Sequence, residues 1–310
     1  MKLVFCGTPD FAAPTLEALL ARGHEIPLVL TQPDRPAGRK MELQQSAVKR
    51  AALAQNLRIL QPEKIKTNAD LRSELESIHP DAIIVVAYGR IIPEWMLKLP
   101  RFGNINLHGS LLPKYRGAAP IQWAVASGET ETGVTTMQLD AGLDTGDVLL
   151  EHRLPIGPDT TASELYPQLA SVGAELVLAT LDGLEHSTIT PRPQDNTHAT
   201  LAPILTREDG RMELDRRTAR EAYNRWRGFS PWPGAHAELR GKRFLVHRMH
   251  PASNDPQLAP GELALANNSL LAGTADGTLA LDEVQLEGKA RMPGAQFAKD
   301  FQLRRGERLV

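Results

Sequence analysis

A single cysteine, Cys6, stands in a chain of 310 residues. That excludes an internal disulfide and a cysteine zinc cluster, and it fits a reducing compartment such as the cytoplasm. Cys6 lies inside an apolar run, so a buried core thiol is expected there rather than a nucleophile. Long hydrophobic runs are missing too: no window approaches the roughly 20 uninterrupted apolar residues of a membrane span. The apolar stretch 1–7 is too short for a secretory leader and reads as a first strand. After that strand, Gly7-Thr8-Pro9 offers one glycine and then a proline, so the dinucleotide-binding fingerprint is lacking. No Walker sequence occurs. Ser110 has Gly109 before it and Leu111-Leu112 after it, which is not the Gly-x-Ser-x-Gly elbow of a hydrolase. His247 and His250 lie three apart without nearby cysteines, and no metal site is expected.

What the chain does contain is ordinary globular composition, 42% apolar and 23% charged, which argues against disorder. Its length exceeds the usual domain size of about 100–200 residues, so two domains are expected. The net charge of −2 conceals an asymmetry. Residues 1–206 hold 18 Lys and Arg against 23 Asp and Glu, whereas 207–310 hold 17 against 14. Within 211–250 the count is ten against four, a modest basic footprint that suits a phosphate-bearing partner as well as a solvated face.

Strand and helix alternate through residue 183. Strands are expected at 3–6, 26–31, 82–87, 103–108, 133–138 and 148–153, and helices at 9–22, 46–55, 68–77, 121–127 and 163–183. Ser46 is a candidate N-cap. The run Ile83-Ile84-Val85-Val86 lacks period-2 alternation, the mark of a strand covered on both faces. Leu165, Leu169, Val172 and Leu176 form one helical stripe. The pattern is that of a doubly wound, largely parallel α/β domain over 1–183. Residues 184–206, rich in Thr, Pro, Asn and His, read as a linker along the surface. From 207 to 310, after a short helix at 219–227, short strands at 235–239, 243–247, 261–266, 270–273 and 278–284 suggest a small β-barrel.

The most informative stretch is Gly103-Asn-Ile-Asn-Leu-His-Gly-Ser-Leu-Leu-Pro-Lys-Tyr-Arg-Gly-Ala-Ala-Pro120. Residues i and i+2 of a strand share a face, so Asn106 and His108 can address one reacting atom. Gly109 breaks the strand, and Ser110-Leu111-Leu112-Pro113 forms an irregular lip beside them. The polar loop 140–147 follows the next strand, is expected on the same sheet edge, and can offer a carboxylate to the histidine. Amide, imidazole and carboxylate together suit transfer of a one-carbon acyl group to an amine.

Asn106-Leu107-His108-Gly109-Ser110-Leu111-Leu112-Pro113 with Asp144 resembles the active-site signature of the folate-dependent formyltransferases. Gly7-Thr8-Pro9-Asp10-Phe11-Ala12, Gln32-Pro33-Asp34-Arg35-Pro36-Ala37-Gly38-Arg39, Gly117-Ala118-Ala119-Pro120-Ile121-Gln122 and Leu143-Asp144-Thr145-Gly146-Asp147 are similar to the branch acting on methionyl-tRNA. The likeness runs through Pro231-Trp232-Pro233-Gly234 and so covers almost the whole chain. Where that branch commonly carries Gly-Lys-Lys after Arg39, this chain has Lys40-Met41-Glu42.

The resemblance implies a Rossmann-like catalytic domain joined to an OB-like barrel that helps hold tRNA. It implies formyl transfer from 10-formyltetrahydrofolate to the α-amine of initiator methionyl-tRNA by a cytoplasmic monomer. Asn106, His108 and Asp144 are then the catalytic set, and Ser110, Leu111, Leu112 and Pro113 belong to the folate site. Arg35, Arg39 and Lys40 are tRNA-contact candidates, and Ile91, Ile92 and Leu139 are candidate walls of the pterin pocket. Relatives acting on glycinamide ribonucleotide resemble only the first domain. Those acting on amino sugars share the chemistry, but the 32–39 loop and the basic segment favour tRNA.

Overall fold

The computed structural model describes residues 1–37, 42–252, 257–304 and 306–310. The chain packs into two units. One comprises Met1–Pro120, Glu131–Pro155 and Tyr166–Pro203, the other Ile121–Thr130, Ile156–Leu165 and Ile204–Val310.

The first unit is built on β1 (Lys2–Gly7), β2 (Glu25–Leu30), β3 (Ile59–Leu60), β4 (Ala82–Val86), β5 (Asn104–His108), β6 (Glu131–Gln138) and β7 (Val148–Pro155). Their order in the sheet is β7-β6-β5-β4-β1-β2-β3. The pairs from β3 to β5 are parallel, while β6 runs antiparallel to both β5 and β7. Every residue of β4 is buried, which explains its unbroken apolar sequence. Ser46 caps the helix Ala47–Ala54 as expected, its hydroxyl accepting from Lys49 N–H at 3.0 Å. A cap of this kind stabilises a helix by about 1 kcal/mol.

The helix Ala162–Glu185 is the long one anticipated, but its deepest line differs. Leu165, Leu169, Val177 and Leu181 are buried, with Gly173 on the same line, while Val172 is only half-buried. Gly173 has a reason: a Cβ there would stand 2.7 Å from Leu107 Cδ2. The helix thus lies against the face of β5 opposite to Asn106 and His108.

Very short elements escaped the sequence patterns, among them β3 and the helices Glu94–Leu97 and Gly294–Asp300. In the loop after Thr31, where Pro33, Pro36 and Gly38 are expected to prevent a regular helix or strand, the chain instead forms a two-stranded ribbon pairing Arg35–Ala37 with Glu42–Gln44. Proline is tolerated in such an edge ribbon because the strand has a side that needs no N–H.

The second unit contains β8 (Ala235–Leu239), β9 (Lys242–Pro251), β10 (Leu263–Ala266), β11 (Ser269–Gly273), β12 (Thr278–Leu286) and β13 (Met292–Pro293). The order is β8-β9-β12-β11-β10, all antiparallel, with β13 on β12. Arg240-Gly241 and Asn267-Asn268 make the two-residue hairpin turns with φ of 53° and 71°, and 47° and 60°. Such primed turns match the twist of the flanking strands. The last residues then span the open edges. Leu309 N–H donates to Gly261 O at 2.8 Å, while Val310 and Glu238 exchange backbone bonds at 2.7 and 3.0 Å. A core of Phe244, Val246, Leu279, Leu281, Val284 and Phe297 fills the interior. The helix Ala219–Phe229 opens with a complete capping box between Thr218 and Glu221.

Candidate active site

Strand alternation sets the site. Leu107 turns to the helix at Gly173, and its neighbours Asn106 and His108 share the other face, 8% and 5% exposed. Asn104, on that same face, is committed to structure: its amide donates to Met96 O at 3.0 Å and Leu97 O at 3.1 Å. The Asn106 side chain makes no hydrogen bond to any described residue. His108 is hydrogen-bonded at one nitrogen and faces a carboxylate at the other. Nε2 lies 2.9 Å from Tyr115 O, an acceptor only, so Nε2 carries a proton there; Nδ1 lies 3.7 Å from Asp144 Oδ2.

The lip after Gly109 is a closed hydrogen-bonded turn. Ser110 is fully buried and its hydroxyl donates to Lys114 O at 2.6 Å. Thr135, on the adjacent β6, donates to Ser110 O at 2.7 Å and accepts from Leu112 N–H at 3.2 Å. Leu112 packs with Met137 and Val148. Of the four residues expected in the folate site, Ser110 and Leu112 therefore face inward, and Leu111 and Pro113 are half-exposed.

Asp144 arrives by a different path from the one expected. Because β6 is antiparallel to β5, Gln138 lies opposite Ile105 and His108 lies opposite Thr135. The loop thus leaves β6 well below the His108 end of the sheet and must fold back to reach it. Asp140 organises that return, accepting from Gly142 N–H at 2.9 Å and from the Thr145 hydroxyl at 2.7 Å. Asp144 itself takes a left-handed conformation, φ 52°. Its Oδ2 accepts from Gly117 N–H at 2.8 Å as well as facing His108. Gly117 is required on two grounds: its φ is 122°, and a Cβ would meet Ala202 O at 2.7 Å.

Residues that the sequence reading assigned to a surface linker belong to this site's framework. Leu201–Ala202 pairs in parallel with Arg116–Gly117. Tyr115 N–H donates to the Thr200 hydroxyl at 2.9 Å, and Arg116 N–H to Thr200 O at 2.8 Å. Gln194 donates to Asp144 O at 2.9 Å and Gly146 O at 2.7 Å, and its Oε1 accepts from Arg116 Nε and Nη2 at 3.1 and 2.6 Å. Arg116, 7% exposed, is completed by Asn196 Oδ1 at 2.8 Å. Nothing in a Pro- and Thr-rich stretch without periodicity announces these partners; the amides of Gln194 and Asn196, two residues apart, are the local hint.

At the same sheet edge, Thr8 and Gln32 side chains bind Tyr88 O at 3.0 and 3.1 Å. Asp34 is bound by Lys49 Nζ at 2.6 Å and Gln61 Nε2 at 2.8 Å, which hold its carboxyl below the usual carboxylate range. Beyond this base Arg35 is exposed. Arg39 and Lys40 lie outside the described residues. Ile91 is 91% exposed, whereas Ile92 and Leu139 pack against the core cluster that includes Tyr88 and Met96. The thiol of Cys6 is fully buried, and burial pushes it far above its ordinary range.

The basic segment is smaller than its residue count implies. Arg227 is 3% exposed, donating to Gly157 O, Thr160 O and Asn224 Oδ1. Arg225 lies over the rings of Trp123 and Phe229. Arg211, Arg216, Arg220, Arg240, Lys242 and Arg248 remain exposed. Among the described residues, no group of three His, Cys, Asp or Glu side chains could hold a metal ion, and no helix is long and apolar enough to cross a membrane.

Comparison with known proteins gives the following. Residues 1–181 match the family described as formyl transferase, and residues 204–302 match the formyl transferase C-terminal domain. The chain is 60% identical over 300 residues to the methionyl-tRNA formyltransferase of Acidobacterium capsulatum, covering 96% of each. HypX from Aquifex aeolicus, solved in complex with tetrahydrofolic acid, is similar with a TM-score of 0.63 and 20% identity over 98% of this chain; the match spans 48% of HypX. An N-formyltransferase from Helicobacter canadensis, solved with folinic acid and dTDP-3-aminofucose, is similar with a TM-score of 0.67 and 19% identity, covering 91% of this chain and 98% of that one. At such identities the two solved structures bear on the fold alone.

Proposed function

The chain belongs to the methionyl-tRNA formyltransferase family, and from that premise we propose that Asn106, His108 and Asp144 carry out formyl transfer to the methionine α-amine. The enzyme moves the formyl group of 10-formyltetrahydrofolate to methionyl-initiator-tRNA, for translation initiation. The folate supplies an activated one-carbon unit, so the protein's task is to orient, to hold charge and to move a proton. The observation that carries this reading is the pairing, on one strand face, of an Asn106 amide without a partner among the described residues with a His108 that is hydrogen-bonded at Nε2 and faces the Asp144 carboxylate at Nδ1. Half-exposed Leu111 and Pro113 and the neighbouring Leu139 offer apolar surface suited to a flat ring.

As the amine attacks, negative charge develops on the formyl oxygen. Asn106 donates an amide N–H to that oxygen. His108 donates its Nε2 proton, exchanging the Tyr115 carbonyl for a charged acceptor; a charge-assisted bond is roughly twice as strong as a neutral one, so the exchange is favourable. Asp144 faces the ring at Nδ1 and, through a water, collects the proton that the amine sheds. As the intermediate collapses the formyl carbon–N10 bond breaks, the oxygen returns to a carbonyl, and that proton passes to N10 of the departing tetrahydrofolate. Residues 1–183 together with the bracing stretch 194–202 form the catalytic part, and 207–310 the OB-like domain that holds tRNA through its exposed arginines. Arg35, Arg39 and Lys40 contact the tRNA. The enzyme works in the cytoplasm as a monomer.

Incubation with 10-formyltetrahydrofolate and charged initiator tRNA should yield formylmethionyl-tRNA. Absence of that product, with formylation of an amino-sugar nucleotide instead, would overturn the assignment of acceptor.

A further inference from the structure

We propose that Gln194 is a positioning residue for formyl transfer, setting the place of Asp144 relative to His108; this rests on the catalytic role given above to Asp144. The aspartate needs such a device. Its loop leaves β6 opposite Ile105, returns toward His108 without regular structure, and holds Asp144 at a φ of 52°, a left-handed conformation that aspartate adopts more readily than most residues but still at some cost. Asp140 ties the first half of the return through Gly142 and Thr145. The second half is pinned at its end by Gln138 N–H on Asp147 O at 2.9 Å and at the Asp144 carboxylate by Gly117 N–H at 2.8 Å, and Gln194 holds the main chain between them: its Nε2 binds the carbonyls of Asp144 and Gly146 at 2.9 and 2.7 Å.

The other end of the same amide decides what the loop is tied to. Gln194 Oε1 takes two bonds from Arg116, at 3.1 and 2.6 Å. Arg116 adjoins Tyr115, whose carbonyl meets His108 Nε2, and Gly117, whose N–H meets Asp144 Oδ2. One side chain thereby joins the segment bearing the carboxylate to the segment bearing the histidine's second partner. All four bonds use neutral glutamine as donor and acceptor at once. Neither Glu, which has no donors, nor a hydrocarbon can reproduce them.

The test is steady-state kinetics on the full chain. Q194A should lower kcat about 10- to 100-fold, the scale of a displacement near 1 Å at a reacting group. KM for folate and for methionyl-tRNA should stay within about threefold, since uniform binding is untouched. Q194E keeps the acceptors for Arg116 but turns a carboxylate oxygen toward two carbonyls. It should be as slow as Q194A while melting no lower, and it serves alone if Q194A does not fold. In a D144N background, Q194A should add no further loss, because a residue acting through Asp144 has nothing left to position. A parent-like kcat for Q194A or for Q194E, or losses that multiply with D144N, would overturn the proposal. D144N with near-parent activity would instead overturn the role of Asp144, and the proposal with it.

Discussion

Two loops leave the first unit's sheet at the C-terminal edge of its parallel strands, one after β2 and one after β5, and they are built on opposite principles. The loop after β5 buries its polar groups and satisfies them: His108, Ser110 and Arg116 are all under 10% exposed and all hydrogen-bonded. In the loop after β2 the ties among the described residues lie at its two ends, where Asp34 meets Lys49 and Gln61 and Gln45 O accepts from Arg50. Between those ends Arg35 and the Glu42–Gln44 strand are exposed. Chemistry explains the contrast. In the proposed reaction, stabilising charge on one oxygen needs the donor-bearing groups held close to their working positions, so that only the Nε2–Tyr115 bond has to exchange. Attraction to a phosphate backbone requires only cations free to approach it.

The largest expected effect breaks the first loop. His108→Ala should reduce kcat at least about 100-fold, the scale of a lost oxyanion donor, with tRNA binding nearly unchanged. Asp144→Asn should be comparably damaging, because the ring loses the charge that orients it while the side chain keeps its volume and its acceptor for Gly117 N–H. Single-turnover rates with both substrates saturating would check each, and a rate within about threefold of the parent would remove that residue from the chemistry.

The second loop should fail more gently. Arg35→Ala combined with Arg39→Ala should weaken binding of methionyl-tRNA without altering folate binding or the saturated rate. Each removed phosphate contact should also flatten the dependence of log K on log salt by about 0.9, so the defect narrows as salt rises. A filter-binding titration at several salt concentrations measures this slope. An unchanged slope would make the loop a solvated surface and leave tRNA to the second unit.

The smallest effect is expected at Cys6. It lies on β1, between the strands that feed the two loops, fully buried and with its thiol pushed upward by desolvation. Iodoacetamide should fail to modify it in the native protein at mildly alkaline pH and modify it readily in urea, because the thiolate is the reactive form. Rapid native labelling would show that β1 opens near the site.

The two loops also differ in how far their residues announced themselves. Asn106 and His108 were legible because strand alternation is a local rule, and β5 runs over Asn104–His108, within one residue of its expected start. The strand at 235–239 and the cap at Ser46 were legible for the same reason. Legibility failed where one charge count stood in for geometry. Arg227 belongs to the basic segment by composition, yet it spends its guanidinium on Gly157, Thr160 and Asn224. Gln194 was missed entirely, since its partners Arg116 and Asp144 lie 78 and 50 residues away in sequence.

The sequence by itself determined the elements and their faces: period-2 alternation pairs Asn106 with His108 over Leu107, apolar runs make β4 a covered strand, and Asn-Asn or Arg-Gly closes hairpins with positive φ. These depend on interactions among near neighbours, so a short window contains their cause. Only the tertiary structure decided that β6 runs antiparallel to β5, that the Asp144 loop must therefore fold back, and that a segment resembling a linker reaches across to hold it there. Those outcomes come from satisfying buried polar groups with whatever partner the packed chain brings within 3 Å, a condition that no local pattern encodes.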